Sequence, residues 1–295
     1  MWSKPWRFEE GFFIGAGLLV VGMVLQFAAG PVDWALFAFP VNVIALVLFL
    51  SVLLILFALE DRVYPFRWLG TYASAVPALS YALFLTIVMG LTHQSSRGGW
   101  LHDMLGFWPF VLVYVWMTVV TGLVALKHIF RLGRSWREVP VVLNHLGIFL
   151  VLVCGTLGNA DIRRLQVTVP VGGTEWRGVD ETGAVQEMDL AIELGSFTMD
   201  EYADGTPKRF ASDVRVYTRD GKTVPGVVEV NKPLKVNGWK IYQYGYDEKM
   251  GKAGRISIFE LVRDPWLPVV YAGIFLMLAG AFTLLFTEPS KRTRP

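Results

Sequence analysis

The sequence predicts a polytopic α-helical membrane protein with about six transmembrane helices and a mainly β extracytoplasmic domain inserted before the last helix. Three observations lead to this fold class. The 295 residues are 54% hydrophobic with a mean hydropathy of +0.45, which is high for a soluble globular protein. Apolar segments of membrane-spanning length recur along the chain. One long polar stretch separates the last of them from the others, and there the apolar residues alternate with a period of two.

Six apolar segments are long enough to cross the hydrocarbon core, which takes about 20 residues of helix. They lie at about 11–30, 37–59, 72–92, 108–126, 141–158 and 266–286. The sequence therefore predicts three regions along the chain. These are a membrane domain with five helices at 1–158, a β domain at 159–264, and the last helix with a basic cytoplasmic tail at 265–295.

Lysine and arginine residues favour one side of the membrane. They precede the first span and follow the second, fourth and sixth, whereas the short connections on the other side hold only Arg97. The positive-inside rule then places both termini in the cytoplasm and the β domain on the outer side. The residues that give this bias are Lys4, Arg7, Arg62, Arg67, Lys127, Arg131, Arg134, Arg137, Lys291, Arg292 and Arg294.

Composition excludes several functions. The formal net charge of +2 gives no strong basic field, so no nucleic-acid partner is expected. Cys154 is the single cysteine, which excludes an internal disulfide, a CxxC pair and a CxxCH site for attaching a c-type haem to this chain. The polar domain contains neither histidine nor cysteine, so it cannot form a nucleophilic triad, and we predict no catalytic residue.

The polar domain is predicted to be a small, mainly β sandwich or open barrel. Two dipeptides, Asp220-Gly221 and Asn237-Gly238, mark tight hairpin turns, because glycine accepts the positive φ that such turns require. The strands around them have alternating apolar residues. The predicted strands lie at 162–169, 214–218, 224–230, 234–236, 239–244 and 254–262.

Aromatic residues cluster in the segment WKIYQYGYDE, which holds Trp239, Tyr242, Tyr244 and Tyr246. They could form a platform for a planar ligand or a peptide. They could equally fill the core of a sheet, since aromatic residues are enriched in strands. We favour the second interpretation.

His145 is the only one of four histidines that lies within a predicted span. A polar group inside a membrane needs a partner, so His145 either bonds a neighbouring helix or ligates haem iron or another metal. A bis-histidine haem site would need a second ligand from another chain or from His128, which ends the fourth span. His93 and His102 are expected in a solvated loop, and their spacing matches no helical metal site.

The stretch from VNKPL to the last span resembles the ResB family of cytochrome c biogenesis proteins. The segment LNHLGIFLVLVCGTLG is similar to the histidine-bearing span that precedes the external domain in that family. Together these segments cover about the last half of the chain. The matching motif residues, to which the resemblance assigns no role, are Asn231, Pro233, Gly238, Trp239, Tyr242, Gln243, Asp264, Pro265 and Trp266.

The resemblance implies a subunit of a system II complex in the bacterial inner (cytoplasmic) membrane. With CcsA, ResB proteins export haem to the periplasmic face and support its covalent attachment to apocytochrome c. Carried over, His145 becomes an axial ligand of haem b, with the second ligand from the partner. The implied partners are CcsA, apocytochrome c and membrane lipid. The implied role is that of an accessory subunit of a cytochrome c haem-lyase (synthase) complex.

Two other functions stay open. A cofactor-free scaffold or interaction protein would use His145 only as a hydrogen-bonding group between helices. A b-type haem electron-transfer subunit would need two histidines for each haem on facing helices.

Overall fold

The computed structural model describes residues 2–95, 99–204, 206–247, 250–251 and 254–286. The chain divides into two compact units, which are considered separately below. One is helical and consists of residues 1–160 and 266–295, and the other is a β unit of residues 161–265. Arg97 and the basic tail with Lys291, Arg292 and Arg294 lie outside the described residues.

The six predicted spans are confirmed among the described residues, and each is long and apolar enough to cross a membrane. The chain is therefore a multi-pass membrane protein. A short helix that the sequence analysis missed, α3, lies between the second and third spans. The helices are α1 (Phe8–Ala29), α2 (Val41–Ala58), α3 (Tyr64–Leu69), α4 (Tyr72–Leu91), α5 (Trp108–Ile129), α6 (Val139–Leu157) and α7 (Leu267–Leu284).

The start of α2 and the end of α5 differ from the predicted span boundaries. Helix α2 begins at Val41 instead of about 37, because Pro40 disfavours the helical conformation for Phe39 before it. The preceding residues Trp34–Phe37 form a separate 3-10 turn. Helix α5 continues to Ile129, beyond the predicted end near 126, so His128 belongs to its last turn.

Buried polar side chains tie the spans together. Gln26 of α1 accepts a hydrogen bond at 3.0 Å from the backbone N–H of Trp108, at the start of α5. Asn42 of α2 donates to the carbonyl of Leu157 in α6 at 3.1 Å. Both side chains are fully or almost fully buried. Because an unsatisfied polar group in hydrocarbon costs several kcal/mol, these bonds hold the two pairs of helices in register.

The basic connections gather at one end of the helical unit. Lys127, near the end of α5, pairs with Glu60 after α2 at 2.7 Å between Nζ and Oε2. The backbone N–H of Trp6, before α1, donates to the hydroxyl of Tyr64 in α3 at 2.6 Å. The chain before α1, after α2 and at the end of α5 therefore meets on one side.

Helices α6 and α7 pack at backbone contact distance. A Cβ on Gly273 of α7 would lie 2.8 Å from the carbonyl oxygen of Gly147 in α6, and a Cβ on Gly147 would lie 2.6 Å from the carbonyl oxygen of Gly273. Gly158, just after α6, meets Trp266 just before α7 in the same way. Small residues allow this close approach, which is the common device of helix association in membranes.

The β unit is one eight-stranded antiparallel sheet in the order β5-β4-β3-β2-β1-β8-β7-β6. The sheet curls until its edges approach, since a Cβ on Gly226 of β5 would lie 2.7 Å from Leu234 of β6. This is close to the open barrel that the sequence predicts. The strands are β1 (Arg163–Pro170), β2 (Thr174–Val179), β3 (Val185–Glu201), β4 (Pro207–Thr218), β5 (Thr223–Glu229), β6 (Leu234–Val236), β7 (Trp239–Tyr246) and β8 (Ile256–Arg263).

Alternating burial builds the core of the sheet. In β1, Leu165, Val167 and Val169 are buried and the residues between them are exposed. The two hairpin turns predicted at Asp220-Gly221 and Asn237-Gly238 are confirmed, because they join β4 to β5 and β6 to β7. Both glycines have φ near +80°. The sidedness that burial imposes on each strand therefore sets the sheet register.

Strands β2 and β3 were missed by the sequence analysis. Strand β3 is 17 residues long and carries several acidic residues, so its alternation is obscured. The turn between the two strands is stabilised by Asp180. Hydrogen bonds from the side chains of Thr182 and Gln186 to this carboxylate lower the pKa of Asp180 to about 2.

The close packing of α6 on α7 predicts a difference between two glycine-to-alanine substitutions. In Gly273→Ala the new methyl group meets backbone, so the helices must separate, and we expect a loss of about 1–3 kcal/mol in the free energy of unfolding. In the control Gly17→Ala nothing lies within 4 Å of the new methyl group. The control should be neutral or slightly stabilising. Thermal unfolding of the purified protein measures both, and equal midpoints would contradict the packing.

Candidate functional site

His145 lies six residues after the first residue of α6, Val139, or about 9 Å along the helix. Its Nδ1 is 2.9 Å from the carbonyl oxygen of Val141. A carbonyl oxygen can only accept a hydrogen bond, so Nδ1 carries the hydrogen. The tautomer with hydrogen on Nδ1 has its lone pair on Nε2, the atom that can bind a metal.

His128 is the penultimate residue of α5. Its Nδ1 makes a close contact with the Oε2 atom of Glu138, which forms the N-cap of α6. The two side chains are each only about a quarter exposed, at 24% and 23%. Because a carboxylate accepts and does not donate, Nδ1 of His128 carries a hydrogen as well. The two histidines thus share one arrangement, in which Nδ1 donates to an oxygen.

The α5–α6 hairpin brings the two rings together. The connection between these helices contains two short 3-10 turns, Leu132–Arg134 and Trp136–Glu138. His128 lies before this connection and His145 less than two turns after it. Their ring centroids are 6.3 Å apart, and the ring planes differ by 23°. The rings are therefore nearly parallel.

Packing on α7 determines which face of α6 carries His145. Successive helical residues point about 100° apart. Asn144 faces α7, because a Cβ on Gly280 would lie 2.7 Å from its Nδ2 atom, and Gly147 also meets α7. His145 lies between these two positions in sequence but on another face of the helix. That face is turned towards the end of α5, where His128 lies.

The geometry suits a metal shared by the two imidazoles. A metal lies about 2 Å from a ligating imidazole nitrogen, so rings on opposite sides of one metal have centroids about 6 Å apart. The observed separation is 6.3 Å. Among the described residues, no hydrogen bond is made to Nε2 of either ring. Two imidazoles complete the axial ligands of haem iron, because the porphyrin supplies the other four nitrogens.

The structure separates the other two histidines from this pair. His93 and His102 lie in the loop between α4 and α5, where Nδ1 of His102 is 2.7 Å from the carbonyl oxygen of His93. This loop precedes α5, whereas His128 is near the end of that helix. The length of α5, about 30 Å, lies between them.

Sequence reasoning missed Glu138. One signal could have pointed to it, because Glu138 is the only acidic residue between Asp103 and Asp161. A lone carboxylate within the basic segment RLGRSWRE, between two histidine-bearing helices, is a candidate hydrogen-bond acceptor for an imidazole.

Several motif residues have structural roles in the β unit. Asn231 and Gly238 have positive φ, at +64° and +80°, and form turns. Trp239 is 2% exposed and donates from Nε1 to Asp189 at 2.7 Å. Gln243 accepts from the hydroxyl of Ser212 at 2.6 Å beside a register shift in β7. The aromatic segment is thus partly core, although Tyr244 is 59% exposed.

The remaining motif residues lie in β7, just before β6, and in the chain between β8 and α7. Tyr242 is partly buried in β7, opposite Glu260 of β8. Pro233 precedes β6, and Asp264 and Pro265 follow β8. Trp266 is the N-cap of α7.

An apolar cavity of about 420 Å³ lies among α2, α5 and α6. Its lining includes Phe49, Trp108 and Leu152. The hydroxyl of Tyr114, also in the lining, donates to the carbonyl of Leu152 and accepts from Thr156, both at 2.9 Å. Sequence reasoning gave no signal for this cavity, because its lining comes from three separate spans.

Comparison with known proteins identifies the region around His145. Residues 133–254 match the ResB-like family. This match, which covers less than half of the chain, confirms the resemblance found in the sequence. His145 and Glu138 lie inside the matched region, and His128 lies five residues before it.

The individual relatives found by sequence comparison are cytochrome c biogenesis proteins. The chain is 28% identical over 113 residues to the cytochrome c biogenesis protein CcsB of Prochlorococcus marinus (strain NATL1A), covering 38% of this chain and 25% of that protein. It is 30% identical over 119 residues to the chloroplastic cytochrome c biogenesis protein CCS1 of Arabidopsis thaliana, covering 38% of this chain and 21% of that protein. The match thus spans about a quarter of the length of these curated relatives.

One solved structure, described as the cytochrome c haem lyase CcmF, aligns with a TM-score of 0.39 and 15% identity. The alignment covers 96% of this chain and 46% of that chain. We infer neither fold nor function from a likeness at this level.

The burial of Trp239 predicts that its hydrogen bond stabilises the β unit. Trp239→Phe keeps an aromatic ring in the core but removes the donor to Asp189, so we expect a loss of about 1–2 kcal/mol in the free energy of unfolding. Tyr244→Phe removes a hydroxyl from an exposed ring and should have no effect. Denaturant unfolding followed by circular dichroism compares the two variants, and equal free energies of unfolding would contradict the assignment.

Proposed function

We propose that this chain handles haem in a cytochrome c biogenesis complex and that His145 is an axial ligand of the haem iron. The main support is the position of His145 in the region that matches the ResB-like family, on a membrane-spanning helix. Its Nδ1 is hydrogen-bonded, and no hydrogen bond to its Nε2 is found among the described residues. Haem b is the cargo in this proposal. When bound, it supplies the iron to which Nε2 coordinates.

The chain's own residues would hold the haem in three ways. Val141 accepts the Nδ1 hydrogen of His145 and so orients the ring. Helix α7 supports α6 on another face through glycine contacts, which keeps His145 at a constant depth. The basic end of the helical unit, with Arg131 and Arg137 exposed, attracts the carboxylates of the haem propionates.

The proposal extends to orientation and partners. The gathered basic connections support a cytoplasmic location for the histidine end and for both termini, with the β unit on the periplasmic side of the bacterial inner membrane. Haem would then be received on the cytoplasmic side and exported.

CcsA would be the membrane partner in this system II complex, and apocytochrome c would accept the haem. The chain is an accessory subunit and supplies no residue to thioether formation.

The histidine pair also supports a second candidate, an electron-transfer subunit with one b-type haem. Such a subunit needs two histidines on facing helices, which α5 and α6 provide. The two functions differ in what happens to the haem. A biogenesis subunit passes it to a CxxCH peptide in the presence of the partner, whereas an electron-transfer subunit retains it.

The proposed ligand predicts the haem content of the purified complex. We expect His145→Ala, co-expressed with a CcsA partner, to lose most of its haem in the visible absorption spectrum, because coordination to Nε2 is removed. His102→Ala, in the loop before α5, is the matched control and should keep the haem content of the unchanged protein. Equal haem content in both variants would show that His145 is not a haem ligand and would favour the cofactor-free scaffold.

A further inference from the structure

We propose that this chain itself supplies the second axial ligand, His128, and that Glu138 is the residue that positions it. The inference rests on the proposed function, because it needs haem at His145. It differs from the expectation that a partner supplies the second ligand. It predicts that the isolated chain binds haem with both axial positions filled.

The first support is the arrangement of the rings. A metal shared between two helices requires one imidazole on each helix and rings that lie close together. His128 and His145 meet these conditions, with ring centroids 6.3 Å apart. Both helices belong to the same unit and are joined by a short connection. The pair is therefore built into the hairpin, with no need for a second chain.

The second support is the matching hydrogen bond of each ring. A metal-ligating histidine almost always donates its other ring N–H to a carboxylate, a backbone carbonyl or water. His145 donates Nδ1–H to a backbone carbonyl, and His128 donates Nδ1–H to the carboxylate of Glu138. Each contact leaves Nε2 as the ligating atom.

The third support is the way in which Glu138 is held. It closes the 3-10 turn Trp136–Glu138, in which the hydroxyl of Ser135 accepts a hydrogen bond from the backbone N–H of Arg137 at 3.2 Å. It is also the N-cap of α6, the helix that carries His145. The start of α6 therefore positions both His145 and the Glu138 carboxylate, which orients His128.

Among the described side chains, no lysine or arginine forms an ion pair with Glu138. Lys127, the residue before His128, is paired with Glu60 at 2.7 Å. The described cation nearest in sequence to His128 is thus neutralised by a different carboxylate. Glu138 is left to the imidazole of His128, as the contact between Oε2 and Nδ1 shows.

The test uses the purified full-length chain without any partner, incorporated into lipid nanodiscs and titrated with ferric haem b. The unchanged chain is compared with His145→Ala, His128→Ala and Glu138→Gln, and His102→Ala serves as the control. The readout is the absorption spectrum, because two axial imidazoles give six-coordinate low-spin haem and one gives five-coordinate high-spin haem. Circular dichroism confirms that each variant keeps its helices.

We expect low-spin haem in the unchanged chain and in His102→Ala. His128→Ala should bind haem in the high-spin form, and added free imidazole should restore the low-spin spectrum by filling the vacant position. Low-spin haem in His128→Ala without imidazole would overturn the inference while leaving the proposed function intact. Haem binding by none of the proteins, even when the CcsA partner is present, would overturn the proposed function as well.

Glu138→Gln tests the positioning role separately. We expect the haem to stay low-spin but to dissociate about 10-fold faster, since loss of an outer-shell partner costs 10- to 100-fold in metal affinity. The reduction potential should also change, because a neutral amide makes His128 a less basic ligand. Glu138→Asp should restore part of both properties. An unchanged dissociation rate and potential in Glu138→Gln would show that the carboxylate does not position the ligand.

Discussion

The packing of α6 against two neighbours is the constraint on which the rest of the helical unit depends. On one face α6 touches α7 through glycines, where carbonyl oxygens and Cα atoms of the two backbones are in contact. On another face it turns back along α5 through a short connection. These two contacts define which face of α6 meets each neighbour. His145 is consequently directed to the end of α5, where the ring of His128 lies nearly parallel to its own.

The candidate metal ligands and most of the family motif residues reside in different units. The residues able to ligate a metal, His128 and His145, belong to the helices. The motif residues of the β unit that can be assigned a role stabilise turns, a register shift and a buried tryptophan. A fold can be maintained by such residues without any of them contacting a substrate. The β unit is therefore best understood as a stable domain, and the proposed haem ligands lie in the helical unit.

Much of the fold could be predicted from the sequence, because hydrophobicity acts locally. Six spans, two hairpin turns and the first and last strands followed from apolar length, period and glycine placement. Strands β2 and β3 escaped because acidic residues interrupt the pattern of β3. His145 could be singled out as a polar residue in a span. The pairing of His128 with Glu138 could not be predicted, because it depends on the path of a connection with two 3-10 turns.

The central claim is that two imidazoles of this chain hold one haem iron. Frozen-solution electron paramagnetic resonance of the ferric haem complex tests it most directly, because the signal reports both the axial ligands and the angle between their planes. The rings of His128 and His145 differ by 23° in plane. Near-parallel imidazoles predict a rhombic low-spin signal with three resolved g values. A high-spin axial signal, or a low-spin signal dominated by one large g value as for perpendicular rings, would contradict the account.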